Sequence, residues 1–157
     1  MFKMKTLYFL RGLPASGKTT WARAKLDELN LCGKIMAVRT NKDEIRIEFG
    51  ETIESGVIRR EVWLVTEALN AGLDVIIDNT HFNPHHERRY RLLAKKYGYS
   101  FDLKSFMHVP LEECIRRDQN RANSVGEPVI RLMYARYLAP TPESHAITRG
   151  LLLQWPR

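Results

Sequence analysis

Lys18 and Thr19 close an eight-residue stretch, Gly12-Leu13-Pro14-Ala15-Ser16-Gly17-Lys18-Thr19, that fits the pattern G-x-x-x-x-G-K-[ST]. Gly12 and Gly17 can adopt backbone angles closed to other residues, so consecutive N–H groups can turn toward one phosphate. Gly12, Pro14, Ala15, Ser16, Gly17, Lys18, Thr19 and Thr20 are the expected nucleotide-phosphate contacts. Lys18 is expected at the β- and γ-phosphates, with the Thr19 hydroxyl on Mg²⁺. A phosphate loop names a donor and leaves the acceptor open.

Asp43 and Arg46 stand three apart in Thr40-Asn41-Lys42-Asp43-Glu44-Ile45-Arg46. On a helix they share a face. A carboxylate beside an arginine stays ionised and can take a proton from an attacking hydroxyl, while the arginine grips a substrate phosphate. The plainer alternative is a surface ion pair worth about 0.2–0.5 kcal/mol. Asp78 follows the run Val75-Ile76-Ile77, the position of a metal-holding acid in phosphate-loop proteins. As a strand-end residue it would equally suit a turn. Arg116, Arg117 and Arg121 sit where one helix gives way to a break at Asn123–Gly126. Glu112→Arg116 and Glu113→Arg117 are possible i,i+4 pairs, and Asp118 can neutralise Arg121. Arg117 and Arg121 would otherwise repel, and a shared triphosphate would relieve them, as in a lid. A further helix carries Arg88, Arg91 and Lys95 as one stripe, either a solvated face or a phosphate-backbone track. His85-His86 lacks a third metal ligand and reads as an exposed helix start.

Composition bounds these readings. The chain has 157 residues, 44% hydrophobic and 27% charged, as an ordinary globular protein has. Its net charge of +7, from 25 basic and 18 acidic residues, favours polyanionic partners. Cys32 and Cys114 lack metal-ligand spacing and suggest a reducing compartment. No 18-residue apolar run and no signal-peptide core occur, so no membrane partner and a cytoplasmic location are expected.

Strands are expected at 5–10, Lys34 to Val38, Val75 to Ile77 and Phe101 to Met107, the last as an edge. Helices are expected at 19–30, Lys42 to Phe49, Val57 to Asn70, Pro84 to 98, Pro110 to Arg121 and Pro128 to Leu138. Asn41 and Asn83 are candidate caps, and Ile58, Val62, Val65 and Leu69 a candidate core stripe. Strands alternating with helices predict an α/β three-layer sandwich with a mainly parallel sheet. A single domain over 1–157 is expected, with a lid at about 116–128 and a C-terminal tail at 139–157.

Taken together, Gly-Leu-Pro-Ala-Ser-Gly-Lys-Thr-Thr-Trp-Ala, Asn-Lys-Asp-Glu-Ile-Arg, Asp-Asn-Thr-His-Phe-Asn-Pro and Arg-Arg-Asp-Gln-Asn-Arg resemble the 5′-hydroxyl polynucleotide kinase family, over about residues 5–138. The resemblance is in particular to the kinase domain of the phage polynucleotide kinase-phosphatases. The resemblance implies a P-loop kinase fold with strand order 2-3-1-4. It implies transfer of the γ-phosphate of ATP (or another nucleoside triphosphate), with Mg²⁺, to a 5′-hydroxyl end of DNA or RNA. It places the general base on Asp43, the acceptor-phosphate grip on Arg46, the donor-side lid arginines on Arg117 and Arg121, and acceptor contacts on Thr80 and Val125. The family's phage enzymes carry an acid one position after Asp78, where this chain has Asn79. Without a D-x-D-x-T phosphatase motif, a stand-alone kinase lacking 3′-end repair is expected, in the host cytoplasm if phage-encoded. A P-loop kinase for a small-molecule hydroxyl and a nucleotide-switched binding module are the competing readings.

Overall fold

The computed structural model describes residues 4–139, so the tail at 140–157 lies outside the described residues. The described chain forms two compact units: residues up to Gly12 with Gly17–Ser105, and Leu13–Ser16 with the chain from Phe106.

The larger unit is a four-stranded parallel sheet in the order β2-β3-β1-β4, as expected. Strands β1 (Thr6–Arg11) and β3 (Asp74–Ile77) are central, and their unbroken apolar runs suit burial on both faces. Strand β4 (Ser100–Ser105) is an edge, half-buried as far as Lys104 and exposed at Ser105. Side chains alternate across the sheet. Leu7, Phe9, Val75 and Ile77 pack with Val65, Ala68 and Leu69 of α3 (Glu54–Asn70) and Tyr90 and Ala94 of α4 (Pro84–Tyr97). On the opposite face Tyr8 meets Trp21 of α1 (Lys18–Leu29), ring to ring at 5.8 Å. Helices therefore cover both faces, the expected three layers.

Strand β2 (Ala37–Thr40) begins three residues later than Lys34. Asn30 sets that start: its side chain accepts from the N–H groups of Met36 and Ala37 and donates to the Ala37 carbonyl. Ile35 is left largely exposed. Helix α2 (Lys42–Phe49) follows, capped by Asn41, whose side chain accepts from Asp43 and Glu44 N–H, and stopped by Gly50 in the left-handed region. Helix α3 starts at Glu54, not Val57. Gly56 is buried within its first turn, where a Cβ would meet the Glu51 carboxylate. Its buried stripe is Val57, Glu61, Val65, Ala68 and Leu69, with Ile58 and Val62 at the margin. The buried stripe therefore has a carboxylate at its centre.

In the second unit α5 (Leu111–Gln119) packs on α6 (Glu127–Tyr137), and Cys114, Ile115 and Ile130 of these helices are buried. Arg131 ties them with a two-pronged grip on Glu112 at 3.0 and 3.2 Å. Both helices are shorter or earlier than expected by one or two residues at an end. Among the described residues, no helix is long and apolar enough to cross a membrane.

Candidate active site

The phosphate loop leaves the end of β1. Gly17 takes φ 99° as the residue before α1, a region open to glycine at little cost, and Ala15 holds φ 59°. No side chain caps the first turn of α1, as suits a helix start that receives an anion. Lys18 is 7% exposed and its ammonium donates to the Gly12 carbonyl at 2.9 Å. Thr19 is half-buried and Thr20 exposed beside it. Within the other unit, Pro14 and Ser16 are buried and Ser16 N–H donates to the Leu13 carbonyl at 3.2 Å, closing a turn.

The loop after β3 is the hub of the larger unit. Gly12 N–H donates to the Thr80 carbonyl at 3.2 Å, so this loop touches the start of the phosphate loop. Asn79 makes three bonds: its amide nitrogen donates to Glu61 at 2.7 Å and to His81 Nε2 at 3.3 Å, and its oxygen accepts from Lys42 N–H at 3.0 Å. Asn41 donates to the Asp78 carbonyl at 2.7 Å. The start of α2 is thereby fixed to the same loop that meets Gly12.

Asp43 stands at that start with its side chain 84% exposed, and Arg46 reaches it at 2.7 Å. Arg46 also pairs with Glu54, which takes Lys42 at 2.9 Å as well. Burial works against ionised Glu54, but the two cations hold its carboxyl below the usual range. The ion pair seen as the plainer alternative is present, on a carboxylate open to solvent.

Asp78 is 1% exposed. Arg39 of β2 donates to Asp78 Oδ2 at 3.0 Å while its other nitrogens grip Glu44. Asp78 Oδ1 is buried without a hydrogen-bond partner. An orphaned buried carboxylate oxygen and a threonine hydroxyl at the phosphate loop fit Mg²⁺, which takes one or two protein oxygens beside phosphates and waters. No group of three or more His, Cys, Asp or Glu among the described residues could hold a metal ion.

Arg39, Glu61 and His81 were not singled out by sequence. Glu61 is fully buried and accepts from Thr40, Asn79 and Tyr90 at 3.1, 2.7 and 2.9 Å. His81 sits at φ 51°, stacked on Phe9, with Nδ1 2.9 Å from the Leu10 carbonyl. That nitrogen must carry the proton, leaving Nε2 to accept from Asn79. Burial pushes the His81 pKa down to about 3. A buried glutamate inside an apolar helix pattern has one legible sign, an acid four residues after Val57 and four before Val65.

The second unit holds Arg117, Arg121 and Val125. The expected mutual repulsion of the arginines is absent: Arg117 pairs with Glu113 at 2.6 Å and Arg121 with Asp118. Arg116 pairs with Glu113, not Glu112, because Glu112 is taken by Arg131. Asp118 is buried and accepts from Ser124 at 2.6 Å, Gly126 N–H at 2.9 Å and Val125 N–H at 3.2 Å. Burial alone would raise its pKa, but these donors and Arg121 hold it down. The expected lid is a loop wound on one carboxylate, with the Val125 side chain 41% exposed. On α4, Arg91 is committed to Glu87 and the face of Phe101, which breaks the Arg88–Arg91–Lys95 stripe. His85 is exposed and His86 half-buried.

A curated relative, the L-seryl-tRNA(Sec) kinase of Methanococcus maripaludis, is 26% identical over 137 residues, 85% of this chain and 53% of that protein. The chain thus spans about half the length of this relative. A solved chain of the Pnkp1/Rnl/Hen1 complex is 26% identical with a TM-score of 0.61, over 74% of this chain and 40% of that one. A second structure, of the Pnkp1/Rnl/Hen1 RNA repair complex, gives a TM-score of 0.62 at 23% identity, over 83% and 43%. Residues 7–140 match the family model AAA_33, described as an AAA domain. That match takes in the phosphate loop, the Asn79 hub and both helices of the second unit, so the chain belongs to the AAA_33 family and has its P-loop kinase fold.

Proposed function

We propose that the chain transfers the γ-phosphate of ATP, or another nucleoside triphosphate, to the 5′-hydroxyl end of DNA or RNA. The observation that carries this reading is the frame of α2. Its solvent-open Asp43 carboxylate stands on a helix start bonded through Asn79 to the loop that also bonds Gly12. A proton acceptor held on one frame with a phosphate loop is what hydroxyl phosphorylation needs. Asp43 accepts the proton as the 5′-oxygen bonds to the γ-phosphorus and the bridge to the β-phosphate breaks, releasing the diphosphate. Lys18 stabilises charge on the transferred group. Thr19 and Asp78 would hold Mg²⁺, which would supply charge neutralisation at the phosphates. Arg46 turns from Glu54 to the phosphate 3′ of the reacting nucleoside. The donor-side roles of Arg117 and Arg121, and acceptor contacts by Thr80 and Val125, rest on the family resemblance.

Kinetics on a nucleoside and on its 3′-phosphate test the reading. The 3′-phosphate is the better acceptor for the native protein, and Arg46→Ala erases most of that preference. Equal activity on both acceptors overturns the role of Arg46. A second reading is favoured by the seryl-tRNA kinase relative: a serine hydroxyl carried on tRNA would meet the same Asp43. A small free hydroxyl compound is the remaining acceptor class.

A further inference from the structure

Helix α4 carries five basic side chains after its first turn and, through Glu87, one acid. Glu87 is spent on Arg11 and Arg91. Arg88, Arg89, Lys95 and Lys96 have no ion-pair partner among the described residues. His85, Arg88, Arg89, Leu92, Leu93 and Lys96 line one open groove along this helix. Their offsets from His85 of three, four, seven, eight and eleven keep them on one helix face. Arg89 has a guanidinium nitrogen, Nη1, that is buried without an acceptor. Leu92 is 59% exposed among these cations, and Leu93 beside it packs against the core.

Unpaired cations repel one another, and a buried unsatisfied donor costs about 1–3 kcal/mol. An anion in the groove relieves both. The groove is also joined to the candidate acceptor end. His86, next to His85 in the same turn, has its ring 5.8 Å from that of His81, whose Nε2 accepts from Asn79, the residue that also takes the Lys42 N–H at the start of α2. The helix rises about 16 Å from His85 to Lys96, the length of about five nucleotides of one strand in B-form geometry.

We propose that this face of α4 is a second binding site, a track for the phosphodiester backbone of the nucleic acid whose 5′ end lies at Asp43. The proposal rests on the polynucleotide reading above. Arg88, Arg89 and Lys96 take successive phosphates, and Leu92 packs against the sugars between them. A mixed row of spaced cations over an apolar floor suits a regular polyanion better than a single small anion.

Fluorescence anisotropy of labelled 5′-hydroxyl oligonucleotides, 3 and 15 nucleotides long, tests this without ATP and without turnover. Arg88→Ala/Lys96→Ala removes two exposed side chains that make no ion pair, Lys96 giving up only its contact with the Tyr97 ring at 5.5 Å. We expect it to bind the long oligonucleotide about tenfold more weakly, with the salt slope shallower by about 1.4, the value for two phosphates of a single strand. Binding of the short one stays within twofold. Arg23→Ala/Lys34→Ala, two exposed cations elsewhere, leaves both unchanged. An Arg88→Ala/Lys96→Ala protein with native affinity and salt slope for the long oligonucleotide overturns the track. So does a groove that binds anionic phosphatidylserine vesicles and not the oligonucleotide. Because binding is read apart from phosphorylation, failure of the kinase reading shows separately, as groove-dependent binding without label transfer.

Discussion

In the proposed reaction the chemistry turns on Asp43. Its side chain is open to an acceptor, and its neighbour Arg46 pairs with it at 2.7 Å. Asp43→Asn keeps the shape and removes the proton acceptor, so turnover should fall about 10²–10⁴-fold. ATP affinity, measured by equilibrium titration, should hardly change. Turnover within about threefold of native, well inside the usual effect of a base, returns Asp43 to the role of surface ion pair. His81 carries a pH prediction of its own. Unfolded chains protonate histidine near 6.5 and the folded protein only near 3. Acid therefore favours unfolding: the stability tied to neutral His81 is complete above about 6.5 and is lost as pH falls toward 3. The limiting slope is about 1.4 kcal/mol per pH unit. Melting curves from pH 7.5 to 5 should show that fall in the native protein and a flatter one in His81→Asn, which keeps a left-handed residue there. Parallel curves would remove His81 as the cause.

At the scale of elements, two buried carboxylates hold the pieces that carry chemistry. Glu61 joins β2, the loop after β3 and α4 through Thr40, Asn79 and Tyr90. Asp118 winds the loop from Arg121 to Gly126 around itself. Asp118→Ala leaves backbone donors at Val125 and Gly126 without their acceptor, a loss of about 1–3 kcal/mol each if they stay buried. Hydrogen exchange at those two amides should speed at least tenfold, while the amides of β1 and β3 stay protected. Unchanged exchange at Val125 and Gly126 would show that the loop has another support. These elements also show what a sequence can carry. Glycine, lysine and threonine spacing disclosed the phosphate loop, and apolar runs disclosed β1 and β3, because both signals are local. Asn41 and Asn83 were legible as caps for the same reason. Glu61 and His81 were hidden, since their partners lie up to 71 positions away along the chain. The start of β2 moved from Lys34 to Ala37 through Asn30, a side chain outside the strand itself.

At the scale of the molecule, the excess of +7 is spread unevenly. Many arginines are used up locally: Arg39 on Asp78 and Glu44, Arg131 on Glu112 and Glu127, Arg116 and Arg117 on Glu113. Unpaired charge gathers along α4, and the proposal of a polyanionic partner rests on that local excess more than on the total. The fold by itself admits many acceptors. The acceptor is the central claim, and one measurement tests it most directly. The native protein is given γ-labelled ATP, Mg²⁺ and a 5′-hydroxyl oligonucleotide, with the same oligonucleotide bearing a 5′-phosphate, seryl-tRNA and a panel of free sugars in parallel. Digestion to nucleotides then locates the label. The account predicts label on the 5′-terminal nucleotide of the hydroxyl oligonucleotide and none on its 5′-phosphorylated twin. Label on seryl-tRNA or on a free sugar, with the hydroxyl oligonucleotide left unlabelled, would contradict it.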